Sequence, residues 1–343
     1  MNIDKKEFKV ILEKLEPAVL KSSEAPILSN ILITKESAQS FNSQLGCHVS
    51  TEIFSEIPYS ICIPFIKTKT FINGAPNEQV KFEIKDSNIE LRSGRSSAKI
   101  PFQSADDFPD FTELIEKYIL NGFEVTNDLS EGLKICSLFT CKQLNRGTIH
   151  GVNLQSNSIK ASDGKRIAQY TLEQEYPEVN IVIQADLIKA LKGSDYLYFD
   201  KDKIVIGKED TIYFSPLIKG DYPQVEKYFP KIKSYIKLPI EEMRKALKKV
   251  GDFSEEGTEL ARCSIKFDNG IEIKYEGQTA HVKEFFDFGG KIQSKGFKLN
   301  PYHFEKILLY CDKFSFITVN DFDILFGGTE DNKFKCIMSL EKI

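Results

Sequence analysis

Four histidines, seven cysteines and one aspartate doublet are the side chains with which this 343-residue sequence could do metal, nucleophilic or acid–base chemistry. Their spacing argues against all three. His48, His150, His281 and His303 stand alone, with no HxxxH or CxxC context, and Cys136 and Cys141 are too far apart for a usual zinc knuckle. Asp106 and Asp107 in SADDFPDF have the pairing of a general acid and base, but Pro109 follows at once and the run reads as a loop entering a domain connection. There is no GxxxxGK and no GxGxxG, so SDGKR (162–166) is no phosphate cradle; its Asp-Gly reads as a tight turn between strands. The cysteines are odd in number and mostly inside apolar runs such as YSICIPF, as expected of reduced, buried thiols in a cytosol. No catalytic group, metal or cofactor is expected.

The elements that would position any site alternate between two periods. Apolar residues recur at helical spacing over 4–16, 63–73, 128–142, 184–193, 239–250 and 300–311. Between them, runs such as ILSNILIT, VKFEIKDSNIELRSG, YLYFDKDKIVIG, GIEIKYEG and FSFITVNDFDILFGG alternate β-branched or aromatic residues with polar ones, with turns at Asp, Asn and Gly. The fold class is α+β, dominated by antiparallel meanders. At 41% hydrophobic the chain can fill two or three cores. No stretch reaches the ~20 apolar residues of a membrane helix, and the start lacks a signal-peptide apolar region, so a cytoplasmic protein is expected.

The pattern repeats. First helices begin near 4, 128 and 239; second helices, each followed by a strand pair, begin near 63, 183 and 299, a period of about 115 residues. Three copies of one domain follow, 1–119, 120–235 and 236–343, each with two helices and two sheet segments.

Charge is unevenly spread. The chain carries 46 basic and 50 acidic residues, a net −4 that excludes a histone-like binder, whereas the six helical segments hold 15 Lys or Arg against 10 Asp or Glu. A basic helix face would attract a phosphate backbone without reading sequence. The candidates are Lys5, Lys9, Lys67, Lys69, Lys134, Lys189, Lys192, Arg244, Lys245, Lys248 and Lys249. The competing reading is an ordinary solvated helix face.

Particular strings then narrow the function. ELRSGRSSAKIPFQSADDFPDF (90–111) closely resembles the end of the first domain of the bacterial DNA polymerase III β subunit family, the sliding clamps, where an RSGR turn precedes a strand and a DFP motif. IKASDGKRIAQY (159–170) resembles that family's A-T-D-G-H-R-L-A segment, and SPLIKGDYPQVEKYFP (215–230) its L-x-x-G-x-F-P-D-Y-x-x-x-x-P segment. PILSNILI and IMSL also correspond, so the anchors span nearly the whole chain in order. The resemblance implies a homodimer joined head to tail, a ring of six domains with twelve helices lining a channel for duplex DNA. Such a ring tethers a DNA polymerase as a non-enzymatic processivity factor and is placed by a clamp loader. The alternative is an adaptor of the same fold that binds partner peptides without closing on DNA.

The resemblance also implies a pocket for a short peptide with apolar anchors, such as Q-L-x-L-F. It maps to Ile149, Ser162, Gly164, Lys165, Arg166, Ile167, Pro223, Lys227, Tyr228, His303, Ile324, Met338, Ser339 and Leu340. Read singly and without the resemblance, Ile149, Ile167 and Ile324 are core residues. The implied subunit interface holds Arg95, Ala98 and Ile100, opposite Phe253. Several positions depart from the family: FNSQLGCHVSTEI replaces the T-D-L-E signature, Lys165 stands where His is common, Ser339 where Pro is common, and Ala98 where an aromatic is common. These departures are those of a divergent member; no residue shows whether a phage or other mobile element carries it.

Overall fold

The computed structural model describes residues 1–21, 25–191, 195–208, 210–268, 270–289, 296–319 and 321–342. Eight α-helices lie among them: α1 (Lys5–Leu15), α2 (Phe65–Gly74), α3 (Thr112–Asn121), α4 (Asn127–Ser137), α5 (Ala185–Ala190), α6 (Ile240–Asp252), α7 (Gly257–Leu260) and α8 (Pro301–Tyr310). Six of these fall where helical spacing placed them. Their ends have local causes. Asp4 Oδ1 accepts from the backbone N–H of Lys6 and Glu7 (2.8 and 3.0 Å) to start α1, and Asn300 Oδ1 accepts from His303 N–H (3.0 Å) to start α8, with Pro301 in the first turn. None of the helices is long and apolar enough to cross a membrane.

Helix α3 corrects the expectation of a plain connection after Pro109. Phe111, Leu114, Ile115 and Tyr118 recur at i, i+3, i+4 and i+7, and all four are buried. They pack with Cys62, Phe108, Val205, Ile212 and Phe214, and Tyr118 donates a 2.7 Å hydrogen bond to the Gly207 carbonyl.

The chain forms two compact units. The first comprises Met1–Ser130 and Asp186–Leu217. A four-stranded antiparallel sheet runs in the order Asn2–Asp4, Gln79–Lys85, Asn88–Ser93, Ser96–Pro101, which leaves Ser96–Pro101 at an edge. A nine-stranded sheet joins strands from distant parts of the sequence where Gly46–Ser50 pairs with Thr211–Pro216. Phe214 lies opposite Gly46 there, and a Cβ on Gly46 would sit 2.0 Å from the Phe214 ring, so any side chain at that position would have to displace the buried ring. Phe8, Phe54 and Phe82 are fully buried beneath α1, with Phe8 and Phe54 edge to face at 5.3 Å.

The second unit comprises Glu131–Ala185 and Ile218–Ile343. Its eleven-stranded sheet is continuous through Arg166–Thr171 and Phe334–Lys342, which pair antiparallel with Arg166 opposite Met338 and Ile167 opposite Ile337. Phe322–Gly328 pairs with the other side of Phe334–Lys342, setting Leu325 opposite Met338 and Ile324 opposite Ser339. The far edge is His281–Phe286. Phe139, Phe304, Phe314 and Phe334 fill the core.

Candidate functional site

The candidate pocket residues all lie in the second unit, four of them in the turn Ser162–Arg166. Asp163 Oδ1 accepts from the N–H groups of Lys165 (2.9 Å) and Arg166 (2.7 Å), and Gly164 takes φ +87°, so the Asp-Gly turn forms as read. The same carboxylate holds the Arg166 guanidinium at 2.7 Å. Ser162 Oγ donates to the Arg166 carbonyl (2.8 Å) and accepts from Gly164 N–H (3.1 Å). Arg166 is only 4% exposed, stacks 5.0 Å from the Phe139 ring, and leaves Nη1 without a hydrogen-bond partner among the described residues.

Sheet register divides the remaining candidates. Ile167, Ile324 and Ser339 share one face of the sheet with Ile337; Arg166, Met338 and Leu340 share the other with Leu325. Ile167 and Ile324 are half-buried and Ser339 is exposed, whereas Met338 and Leu340 are 3% and 8% exposed. Met338 and Leu340 are therefore mainly core. Lys165, His303, Met338 and Ser339 border one shallow cleft, together with Glu259, Arg262 and Glu341. Pro223 and Lys227 line a different, polar cleft beside the buried Lys160. Tyr228 is exposed, with the Lys227 ammonium 5.1 Å from its ring centroid, and Ile149 is half-buried.

Two ion pairs involve the wall of the first cleft: Glu259 pairs with Lys142 at 2.6 Å, and Arg262 with Glu341 at 3.1 Å. Sequence reasoning missed these residues, because a four-residue helix carries no periodic signal. His303 Nε2 lies 3.9 Å from Glu259. Burial, reinforced by the nearby Arg166 cation, lowers the His303 pKa to about 4, so the ring is neutral near pH 7. Lys306 is also lowered, by burial and then by Arg166 and Lys142. Cations thus crowd this end of the sheet.

The basic candidates on the helices differ in how free they are. Lys9, Lys69, Lys189, Arg244 and Lys249 are paired with Glu13, Glu16, Asp186, Glu305 and Glu284, and Lys5 Nζ donates to the Ala75 carbonyl. Lys67 on α2, Lys134 on α4, and Lys245 and Lys248 on α6 are exposed, with no acidic partner among the described residues. Lys192 lies outside the described residues. Lys245 and Lys248, three residues apart, form one stripe opposite the buried Met243, Ala246, Leu247 and Val250.

Of the interface candidates, Arg95 is exposed at a strand turn, Ala98 is half-buried and Phe253 is 44% exposed. Ile100 is 4% exposed within its own unit, so its side chain adds no apolar surface. Phe285, 53% exposed on the open edge strand His281–Phe286, went unnoticed in the sequence because the alternation there is weak.

Nucleophilic chemistry gains no support. All seven cysteines are buried, and burial pushes the Cys62 and Cys263 thiols up to about 12. Among the described residues no group of His, Cys, Asp or Glu could hold a metal ion.

No family model matches the chain. It is 24% identical to the β sliding clamp of Helicobacter pylori over 245 residues, 61% of this chain and 65% of that protein, so the match spans just under two thirds of that relative. It is 23% identical to the β sliding clamp of Chlamydia pneumoniae over 295 residues, 77% of this chain and 76% of that one. Among solved structures, it superposes on the DNA polymerase sliding clamp of Bacillus subtilis with TM-score 0.79 at 17% identity, covering 100% of this chain and 98% of the other. For the griselimycin-bound clamp of Bartonella birtlesii the values are 0.82, 14%, 100% and 99%. For the Helicobacter pylori clamp bound to a DNA ligase peptide they are 0.77, 18%, 100% and 100%. Over its whole length the chain has the fold of the bacterial sliding clamps, at low sequence identity.

Proposed function

We propose that the chain is a DNA sliding clamp, a non-catalytic processivity factor that encircles duplex DNA and tethers a polymerase and other partners through a peptide pocket. The observation that carries this reading is the fold correspondence across the entire chain, first repeat to last, joined with full-order sequence anchors. In this reading the repeats 1–119, 120–235 and 236–343 are the clamp domains, and two cytoplasmic chains join head to tail into a ring that a clamp loader places on DNA.

Three features support it. Free cations on α2, α4 and α6 supply phosphate contacts that are few and sequence-independent, which suits sliding. The two units each present an open strand, Ser96–Pro101 and His281–Phe286, and a heterologous contact between unlike edges closes when it is made twice about a two-fold axis. The turn Ser162–Arg166, with Ile167, Ile324 and His303, offers apolar and cationic surface for a short peptide, and the similar Helicobacter pylori clamp is bound to a DNA ligase peptide. Retention by a ring works through effective concentration, because a tethered polymerase rebinds the same primer end.

The test is retention on nicked circular against linearised DNA after loading, with sedimentation to count subunits. A dimer held on circles and lost from free ends is the expected result. Equal loss from both, with a monomer in sedimentation, would favour the peptide-binding adaptor.

A further inference from the structure

We infer that the partner peptide extends beyond its apolar anchors and lays a neutral polar flank into the cleft lined by Asn153, Gln155, Asn180 and Gln224. The inference rests on the pocket reading above and deepens it. The cleft has a volume of about 700 Å³, and Pro223 and Lys227, both assigned to the peptide pocket, form part of its wall. A peptide that reaches Pro223 and Lys227 is then at the wall of this cleft.

The cleft is internally braced. Lys160, 7% exposed, donates to Gln155 Oε1 (2.9 Å) and is paired with Glu226, which ties the short 3-10 turn Glu226–Tyr228 to the sheet. Asn153, 1% exposed, donates through Nδ2 to Asn180 Oδ1 (3.0 Å) and to the Ile181 carbonyl (3.2 Å). These bonds use the acceptor oxygens of Gln155 and Asn180. They leave Gln155 Nε2 and Asn180 Nδ2 without a protein acceptor among the described residues. Two oriented amide donors beside the exposed Gln224, with Lys160 already neutralised by Glu226, suit a ligand that offers carbonyl oxygens and little charge. An extended polypeptide has that chemistry: alternating acceptors and donors along its main chain. With Lys160 and Glu226 paired, the remaining charges of the wall, Lys227 and Asp221, are opposite in sign, so the cleft has no net charge to favour an anion.

The test compares three fluorescent peptides on the full-length protein: Gln-Leu-Ser-Leu-Phe alone, and the same motif with six Ser, Asn and Gly residues added at one end or the other. One flanked peptide should bind at least ten-fold more tightly than the short one. In Gln155→Glu with Asn180→Asp, which keeps the internal acceptors but removes both open donors, that advantage should vanish while the short peptide binds as before. Equal affinity of short and flanked peptides, or an advantage that survives in the variant, overturns the inference and leaves the pocket standing. Failure of all three peptides to bind overturns the pocket reading and this inference with it.

Discussion

Asp163 does three jobs at once: it accepts two turn N–H groups and neutralises a guanidinium that is 4% exposed. Removing one member of a buried pair strands the other charge, at a cost of about 3–5 kcal/mol. Asp163→Ala should therefore lower the unfolding free energy of the protein by about 3 kcal/mol or more in urea denaturation, and a loss under 1 kcal/mol would reject the buried-pair account. His303 gives a pH signature. Its pKa falls from 6.5 unfolded to about 4 folded, so above pH 6.5 both states are neutral and its contribution is constant. Between pH 6.5 and 4 the unfolded chain takes up a proton that the folded one refuses, and stability is lost as pH falls. The loss is on the order of 3 kcal/mol by pH 4. In His303→Gln the urea midpoint should fall less steeply over that window than in the parent; identical slopes would show that the ring is not buried neutral. The sequence made the Asp-Gly turn legible, because its chemistry is local. It could not reveal that Arg166 is buried on Phe139 or that Met338 faces the core, since both follow from the register between Arg166–Thr171 and Phe334–Lys342, strands more than 160 residues apart.

At the scale of elements, helical period was enough to find α1, α2, α4, α5, α6 and α8, and it missed α3 for an instructive reason. The spacing Phe111, Leu114, Ile115, Tyr118 was present, but Pro109 and the apparent seam near 120 drew the reading toward a linker. Charge summed over helices was also too coarse. On α6 the four cations looked equivalent, yet Arg244 is held by Glu305 at 3.1 Å and Lys249 by Glu284, while Lys245 and Lys248 are free. A paired cation releases fewer counterions from DNA, because its own carboxylate competes with the phosphate. Each lost phosphate contact reduces the salt slope of binding by about 1. Lys245→Ala with Lys248→Ala should therefore flatten the log Kd against log salt line by about 2, measured by fluorescence anisotropy on a short duplex. Arg244→Ala with Lys249→Ala should change it by less than half as much. The opposite ranking would place the DNA on another face.

For the whole molecule, the proposed dimer must be held together with Ala98 on the edge strand where the resemblance implies an aromatic. Ser96–Pro101 and His281–Phe286 each end a sheet, and an exposed edge of this kind invites a partner strand. Ser96–Pro101 offers Lys99 outward and the small Ala98 inward, so it supplies backbone hydrogen bonds and little apolar area. The opposite edge carries what the first lacks. Phe285 is 53% exposed, and its ring lies close to Gly270, where a Cβ would come within 2.5 Å of the ring. Phe253, 44% exposed at the end of α6, belongs to the same unit. In the proposed head-to-tail dimer these two aromatics are the anchors, and an anchor of this kind contributes on the order of 1–3 kcal/mol. Phe285→Ser should raise the dimer dissociation constant about ten-fold or more in sedimentation equilibrium, with the monomer still folded because the side chain is not part of the core. Ala98→Phe should act in the other direction, restoring an aromatic to the weak edge and lowering the constant by a similar factor. If neither substitution moves the constant, the edges do not meet, and a closed ring built on them is excluded.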